Sequence, residues 1–491
     1  MNHPTSILLE IQNTFHPSVQ SQEKESSQPS KTRYFTRLTL LTLLLVGATI
    51  SGQGQQVNLQ QVLNESKQNY PLLKAKQAEV TSAQRRVKSA NTEYLPNVII
   101  QDQYTYATNN SVTGSYYPNE GTAISPSGGI RPDNIYQGVF GSFTTALLEW
   151  KIINFGKVAA NVQAARNEMA RSQLEYENEL FQQQIRVIDS YLLLLISQKL
   201  VMVQRSNLER ARIFREVVAS GVSSGMRPGV DSSLANAEYT KAQLLLLESQ
   251  RNEKAQRLRL SELTGNLQDS LAVDSMSFYT KLPIIPTGAS SIQNNPLLRL
   301  YQAQTSVAEA RSIAVRRSFR PSISFLAAGW ARGSGVSNKD DSYRTDFASG
   351  VNYQVYNYMI GISTRWNLTS IFKVHNDYQS EKAQLQRYQE LYNDQSLKLN
   401  RQFRESEMQF ALTLDQARLA PVQLNAARRA MNQARARYES GLTDLPTVMQ
   451  SLLTLNRAEV DQYVAISNAW RSLLLQAAAT GDLSLFLNQL N

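Results

Sequence analysis

Two kinds of hydrophobic periodicity alternate along the chain, and each kind occurs twice in the same order. Residues 69–94 and 294–319 carry apolar residues at helical spacing, and Pro96 or Pro321 follows and ends each stretch. The pattern then changes to a period of two, which predicts strands that pair as two hairpins. The predicted strands lie at 98–107, 136–150, 322–331 and 353–366.

A very long helical stretch follows the second strand of each pair. Residues 157–222 and 374–439 are rich in Ala, Leu, Gln, Arg and Glu, and only Pro421 is expected to interrupt the second stretch. At 1.5 Å per residue each helix would be about 100 Å long. Shorter helices are predicted to return over about 230–263 and 447–479. Each return helix is about half as long as the helix beside it. The helix that opens each repeat is therefore expected to lie end to end with the return helix, so that the two together cover the long helix.

The two halves of the chain are an internal duplication of one structural unit. Residues 69–73 (NYPLL) align with residues 294–298 (NNPLL) at an offset of 225, whereas Trp150 aligns with Trp366 at an offset of 216. The offset changes between the strands of each pair, where surface loops tolerate insertions. The predicted fold is an α+β membrane protein built from a duplicated helix, β-hairpin and helix-turn-helix unit.

The domain boundaries follow from this duplication. They are a signal peptide with an N-terminal extension (1–54), a first repeat (55–265), a linker (266–291), a second repeat (292–481) and a tail (482–491).

An export signal precedes the first repeat. Lys31, Arg33 and Arg37 come before an apolar run over 38–50, which small residues follow. This order is typical of a secretory signal peptide, and the run falls short of the roughly 20 apolar residues that span a bilayer. We expect cleavage near Gly54, and any membrane insertion of the exported chain would have to be as a β-barrel.

Composition argues against an enzyme. The 491 residues include no Cys and only three His, of which His3 and His16 precede the expected cleavage point. Disulfides, thiol catalysis and thiolate metal sites are excluded, and no metal or other cofactor is predicted. The net charge is +10, but charged residues make up only 18% of the chain and form no basic block. Nucleic-acid binding is therefore not predicted.

Two other classes of function fit parts of the pattern. An exported coiled-coil scaffold would explain the long helices but neither the hairpins nor the signal. An exported hydrolase would need a nucleophile, a base and an orienting group brought together. The candidates are Asp102, the Asp340-Asp341 pair and His375, which fit better as strand, loop and helix-surface residues.

Over about residues 57–485, the chain resembles the TolC family of outer-membrane efflux proteins. The resemblance rests on the repeated order of elements, Pro96 and Pro321 at the helix-to-strand junctions, and Trp150 and Trp366 before the long helices. Gly-containing turns at the far ends of those helices complete it. Four strands cannot close a barrel, and open edges in a membrane leave backbone groups unpaired, so oligomerisation is expected.

The resemblance implies a homotrimer in the bacterial outer membrane. Its twelve-stranded barrel would contact outer-membrane lipid and continue into a helical barrel in the periplasm. The partners would be a periplasmic adaptor protein and an inner-membrane pump of the RND or ABC type. The chain would be the outer-membrane channel of a tripartite efflux or secretion system.

The same resemblance assigns roles to residues at the two ends of the helices. The adaptor-contacting tips would include Ser224, Gly225, Met226, Ser440, Gly441 and Leu442. The periplasmic entrance would be formed by Asp231, Asp444, Thr447 and Gln450. The membrane-interface aromatics would be Tyr94, Trp150, Phe319 and Trp366. Because Thr447 and Gln450 are neutral where the family pattern has carboxylates, we expect an entrance that binds multivalent cations weakly.

Overall fold

The computed structural model describes residues 58–108, 133–266, 276–286, 291–337 and 339–490. All of them belong to one compact unit. The predicted signal peptide and its cleavage near Gly54 lie outside the described residues.

Two long helices dominate the fold, and shorter helices and four strands surround them. The helices are α1 (Leu59–Asn69), α2 (Pro71–Thr92), α3 (Lys157–Ser223), α4 (Gly229–Thr264), α5 (Met276–Thr280), α6 (Pro296–Ser318), α7 (Phe347–Val351), α8 (Ser370–Glu439), α9 (Leu445–Thr480) and α10 (Ser484–Leu487). The strands are β1 (Asn97–Ala107), β2 (Val139–Ile153), β3 (Ser322–Ser334) and β4 (Val355–Arg365). A short 3-10 helix, Ile292–Asn294, precedes α6.

The four strands form one antiparallel sheet in the order β1-β2-β3-β4. The two predicted hairpins are present, and they join through β2 and β3, where Leu148 pairs with Ala327. The sheet therefore unites the two repeats. Because the order is a simple meander, β1 and β4 are left as its edges.

The helices lie side by side in four columns. Near the sheet α3 packs against α2 and α6, and farther away it packs against α4 and α9. α8 packs against α6 and then against α9. The order across the molecule is therefore α2 and α4, then α3, then α6 and α9, then α8. This is the end-to-end pairing of short helices beside long ones that the sequence predicts.

The beginnings of the short helices follow local sequence signals. Asn295 caps α6 by accepting a 3.0 Å hydrogen bond from the Leu297 N–H, and Pro296 occupies the first turn as predicted. The first repeat differs, because α1 precedes Pro71 and was not predicted. Asn58 and Gln61 form a capping box at the start of α1, and Tyr70, held extended before Pro71, ends it.

Pro421 does not interrupt α8, contrary to the prediction. The helix runs unbroken through 70 residues. A proline in a helix interior removes one backbone hydrogen bond and costs about 3 kcal/mol. Packing of α8 against α9 on both sides of this position offsets that cost, because Ala417, Ala420 and Leu424 are all buried.

The apolar core lies between the helices rather than under the sheet. The largest cluster, here called the central cluster, includes Ile188 and Leu194 of α3, Trp470 and Leu473 of α9, and Phe278 of α5. Of the described helices, α3 alone has an 18-residue window apolar enough to cross a membrane, and 61% of that window is buried inside the protein. The apolar stretch of α3 therefore serves this core.

The glycines that follow α8 and α9 offer a matched test of packing. Gly481 and Gly441 both have positive φ, at +81° and +74°. A Cβ at Gly481 would lie 2.5 Å from Asn295 Cα, whereas a Cβ at Gly441 would meet nothing within 4 Å. Both alanine variants incur the left-handed strain of about 1–2 kcal/mol, and only Gly481→Ala adds overpacking of about 1–3 kcal/mol. We expect Gly481→Ala to lower the thermal midpoint of the purified protein clearly more than Gly441→Ala; equal midpoints would contradict the close packing at Gly481.

Candidate functional site at the helix tips and strand ends

The two turns that join the helices of each hairpin have the same geometry. In the first, the Met226 N–H donates a 3.0 Å hydrogen bond to the Gly221 carbonyl, and in the second the Leu442 N–H donates at 2.8 Å to the Arg437 carbonyl. Gly225 and Gly441 follow the helix ends with φ of +72° and +74°. Each turn is thus a Schellman cap that needs a residue tolerant of the left-handed conformation.

The tips present apolar side chains to solvent. Met226 is 79% exposed and Leu442 is 70% exposed, and each follows its glycine directly. Ser224 and Ser440 donate to carbonyls one turn earlier in their own helices, so their hydroxyls stabilise the helix ends. Each tip therefore exposes an apolar side chain beside a glycine whose Cβ position is open.

The predicted entrance residues of the second hairpin, Asp444, Thr447 and Gln450, lie at and just after the start of α9. Asp444 caps this helix, accepting hydrogen bonds from the Thr447 N–H at 3.3 Å and the Thr447 hydroxyl at 2.5 Å. These bonds hold the pKa of the Asp444 carboxyl below its usual value. The cap is therefore intact at neutral pH and is lost as pH falls through that lowered pKa. Gln450 is exposed one turn further along.

Asp231 has a different environment, because it contacts the second hairpin. The Tyr438 hydroxyl donates to Asp231 Oδ2 at 3.3 Å, and the Tyr438 side chain is only 1% exposed. Burial raises the pKa of the Tyr438 phenol, which keeps its proton available for this bond. Arg227 lies over the same ring at 3.6 Å and donates to the Tyr438 carbonyl at 2.6 Å.

The sequence did not single out Arg227 or Tyr438. They are 211 residues apart and lie in different repeats, so no local pattern links them. One signal was present: Tyr438 stands three residues before the tip glycine, an aromatic at the last buried position of α8.

The predicted membrane-interface aromatics meet in pairs, one pair in each repeat. The Trp150 indole donates to the Tyr94 carbonyl at 2.9 Å, and the Trp366 indole donates to the Phe319 carbonyl at 3.1 Å. Each bond ties the end of a strand to the end of the short helix before the hairpin. Tyr94, Trp150 and Trp366 are exposed and Phe319 is half-buried, as suits an amphipathic boundary.

The hydrolase candidates lie on separate elements. Asp102 is on β1 and accepts a hydrogen bond from Thr144, Asp340 accepts hydrogen bonds from Ser342 in the loop after β3, and His375 is exposed on α8. Among the described residues, no group of three or more His, Asp or Glu side chains is placed to hold a metal ion.

The described chain thus joins a small four-stranded sheet with two open edges to helices of 67 and 70 residues. Residues 62–266 and 289–476 match the model of the outer membrane efflux protein family. The chain belongs to this family. It is an outer-membrane efflux channel of a tripartite system, with its helical part in the periplasm, and the family consists of trimeric channels that work with adaptor and pump partners.

Solved structures of outer-membrane channels share the fold. CmeC of Campylobacter jejuni superposes with a TM-score of 0.70 at 15% identity, over 97% of this chain and 94% of that chain. VceC of Vibrio cholerae gives 0.68 at 16% identity, over 86% of this chain and 96% of that chain. CusC gives 0.70 at 14% identity, over 86% of this chain and 92% of that chain. No curated protein sequence matches the chain.

Proposed function

We propose that three copies of the chain join edge to edge into a closed duct, which receives substrate from an adaptor and pump at the helix tips and releases it through the barrel. The single observation that carries this proposal is that, among the described residues, the sheet and the helices have no partner on the same two sides. β1 follows α2 directly and β4 leads directly into α8, so each sheet edge continues into an outer column of helices.

The helical edges carry apolar stripes that no described residue covers. On α8 between residues 390 and 439 the exposed large apolar residues are Leu397, Met408, Leu412, Leu419 and Val422. On α4 they are Val230, Leu234, Leu244, Leu247 and Leu258. At 3.6 residues per turn, the α8 residues form one stripe about 150° around the helix from the face that packs on α9. A helix in a ring of helices needs two such faces, one for each neighbour.

The two stripes also match in height above the tips. Leu247 lies 18 residues from the tip end of α4, and Val422 lies 17 residues from the tip end of α8. Both are therefore roughly 26 Å from the tips. Rotation about an axis parallel to the helices preserves height, so the α8 stripe of one copy meets the α4 stripe of the next. Such a contact joins different surfaces and closes into a ring, with twelve strands for three copies.

This arrangement supports roles for both ends of the duct. Met226 and Leu442, which project beside open glycines, contact the adaptor. Asp231, Asp444, Thr447 and Gln450 surround the entrance. The pump is of the RND or ABC type, both of which deliver cargo from the inner membrane to such an entrance. The alternative function is that of an exported coiled-coil scaffold without a channel. In that case the apolar stripes would bind other proteins and no pore would form.

Conductance separates these two roles. Protein extracted from outer membranes in mild detergent is expected to migrate as a heat-resistant trimer and to produce uniform conductance steps in planar bilayers. Recovery as a soluble periplasmic protein, or a stable trimer that conducts no ions, would favour the scaffold.

A charge added at the entrance is expected to create cation block. Gln450 is the better position to alter than Thr447, because the Thr447 hydroxyl is bonded to Asp444. In a trimer, Gln450→Glu places three carboxylates around one axis, and these bind multivalent cations through charge and oxygen ligation. A trivalent cation added on the periplasmic side should block Gln450→Glu at about tenfold or more lower concentration than wild type.

The neutral variant Gln450→Ala controls for altered packing at the same position and should respond like wild type. If wild type is blocked as readily as Gln450→Glu, carboxylates other than position 450 form the constriction and the assignment of the entrance is wrong.

A further inference from the structure

A cavity of about 460 Å³ lies at the end of the sheet that is farthest from the long helices. It is enclosed by the end of β3, the start of β4 and the loop that joins these strands. Its volume is in the usual range of small-molecule sites, about 300–1,000 Å³. No Asp or Glu of the described residues lines it, whereas three cationic side chains do: Arg332, Lys339 and Arg344.

Backbone hydrogen bonds hold the three cations around one space. The Arg332 carbonyl accepts a hydrogen bond from the Gln354 N–H at 2.8 Å, which joins β3 to the residue before β4. The Arg344 N–H donates to the Gly335 carbonyl at 2.7 Å, and Lys339 lies on the turn between those two residues. The cavity wall is therefore formed by the fold itself. Because like charges held close together repel each other, an anion bound between them is stabilised.

The acidic residues of the same loop lie outside the cavity wall. Asp340 accepts hydrogen bonds from the N–H and the hydroxyl of Ser342, at 3.3 Å and 2.9 Å. Asp346 caps α7 and accepts a 2.8 Å hydrogen bond from the Ser349 N–H. Neither carboxylate lines the cavity, and neither does that of Asp341. An anion that enters therefore meets cationic donors at the wall rather than carboxylates.

Arg332 lies on the face of the sheet that points away from lipid. On β4 the side chains of Tyr356, Tyr358 and Ile360 share one face and are 67–84% exposed, as suits contact with lipid. Arg332 pairs with Val355, and neighbouring residues along a strand point to opposite faces, so Arg332 lies on the other face. In a closed barrel that face lines the passage. Since the long helices continue from the opposite end of the strands, the cavity lies at the outer exit.

Resting on the proposed duct, we propose that this cavity binds the oxyanion group of anionic cargo, a carboxylate, phosphate or sulfate, as the cargo leaves the passage. Each arginine presents N–H donors in a planar fork that fits two oxygens of such a group, and the lysine adds a compact charge. In a trimer the three cations are repeated three times around the axis. Together they raise the local concentration of anions at the exit, which favours anionic over cationic cargo.

The chain offers a matched control for the loss of one charge. Arg365 is exposed on the same face of β4 as Val355, at the end of the sheet nearer the long helices. Arg365→Gln therefore removes the same charge from the same face without altering the cavity. Arg332→Gln and Arg344→Gln each remove one fork. Lys339→Gln changes an exposed side chain on a turn, so the test does not depend on how well the arginine variants fold.

Two measurements at low salt test the site, with inorganic pyrophosphate as the probe. The first is titration calorimetry of the purified protein in detergent, which reports binding whether or not the protein conducts. We expect the dissociation constant to rise about tenfold in Arg332→Gln and Arg344→Gln, about threefold in Lys339→Gln, and not at all in Arg365→Gln. The second is block of single-channel current by pyrophosphate added on the outer side, which should weaken in the same order.

The outcomes distinguish this inference from the function on which it rests. Binding that Arg332→Gln weakens, in a protein that conducts no ions, would keep the anion site and contradict the duct. Conductance with no pyrophosphate binding, or with equal binding by wild type, Arg332→Gln and Lys339→Gln, would contradict the site alone. An equal loss in Arg365→Gln would also contradict it, since net charge and not the cavity would then hold the anion. Binding in detergent without block from the outer side would mean that the cavity serves lipid headgroups, and would contradict its role in the passage.

Discussion

Replacing Leu412 and Leu419 with glutamate is expected to abolish the trimer and, with it, export. Both side chains lie on the α8 stripe, 58% and 67% exposed in a single chain. Burial of a leucine in the proposed interface contributes about 1.5–3 kcal/mol, and burial of an unpaired carboxylate costs more than that gain. Since a ring of three has three such interfaces, the double variant loses well over 10 kcal/mol of assembly free energy by this reasoning. Semi-native electrophoresis of outer-membrane extracts measures the result.

Asn425→Glu is the matched control for this variant. Asn425 is exposed on α8 and lies away from the stripe, roughly a third of a turn beyond it. The control adds the same charge to the same helix and should leave a heat-resistant trimer. If the Leu412→Glu, Leu419→Glu double variant still forms a trimer of wild-type stability, the α8 stripe faces something other than a neighbouring copy.

Substitution of Gly441 is expected to abolish export while the trimer survives. Gly441 has φ of +74°, and a Cβ there would point into open space. Gly441→Val strains the turn by about 1–2 kcal/mol, whereas asparagine tolerates the left-handed conformation and keeps the turn. We nevertheless expect Gly441→Asn to lose most export, because any side chain at this position prevents close approach of the adaptor.

Comparison of Gly441→Val with Gly441→Asn distinguishes the role of Gly441 in the turn from its role in adaptor contact. Drug or dye efflux in cells that lack the native protein measures export, and the thermal midpoint of the purified trimer measures the fold. Normal export by Gly441→Asn together with failure of Gly441→Val would mean that the glycine serves the turn only, and that the adaptor binds elsewhere.

Local signals accounted for most of the elements. Pro96 and Pro321 marked the change from helix to strand, and the positive φ of Gly225 and Gly441 agrees with the predicted turns. The Tyr70-Pro71 step was the signal for the break between α1 and α2, since a residue before proline is driven to extended geometry. The continuity of α8 through Pro421 could not be predicted, because neighbouring helices decide whether such a residue is tolerated.

Contacts between residues far apart in the sequence also could not be predicted. The buried triad of Ser66, Gln183 and the Leu263 carbonyl joins three helices across 197 residues, and no periodicity specifies it. The same is true of Phe278, whose carbonyl accepts a hydrogen bond from the buried Trp470 indole at 2.9 Å. At the tips, the family resemblance predicted Asp231 at the entrance, but only the folded chain brings it to Tyr438 and brings Arg227 to the same ring.

Cross-linking across the proposed interface tests the closed ring most directly. The chain contains no Cys, so cysteines placed by Leu247→Cys and Val422→Cys are the only thiols. Treatment of the double variant in outer membranes with a short bismaleimide should give covalent dimers and trimers and no larger product, while either single variant stays monomeric after denaturation. Products confined to the monomer, or a ladder that continues beyond three copies, would contradict a trimeric duct closed by α4 and α8.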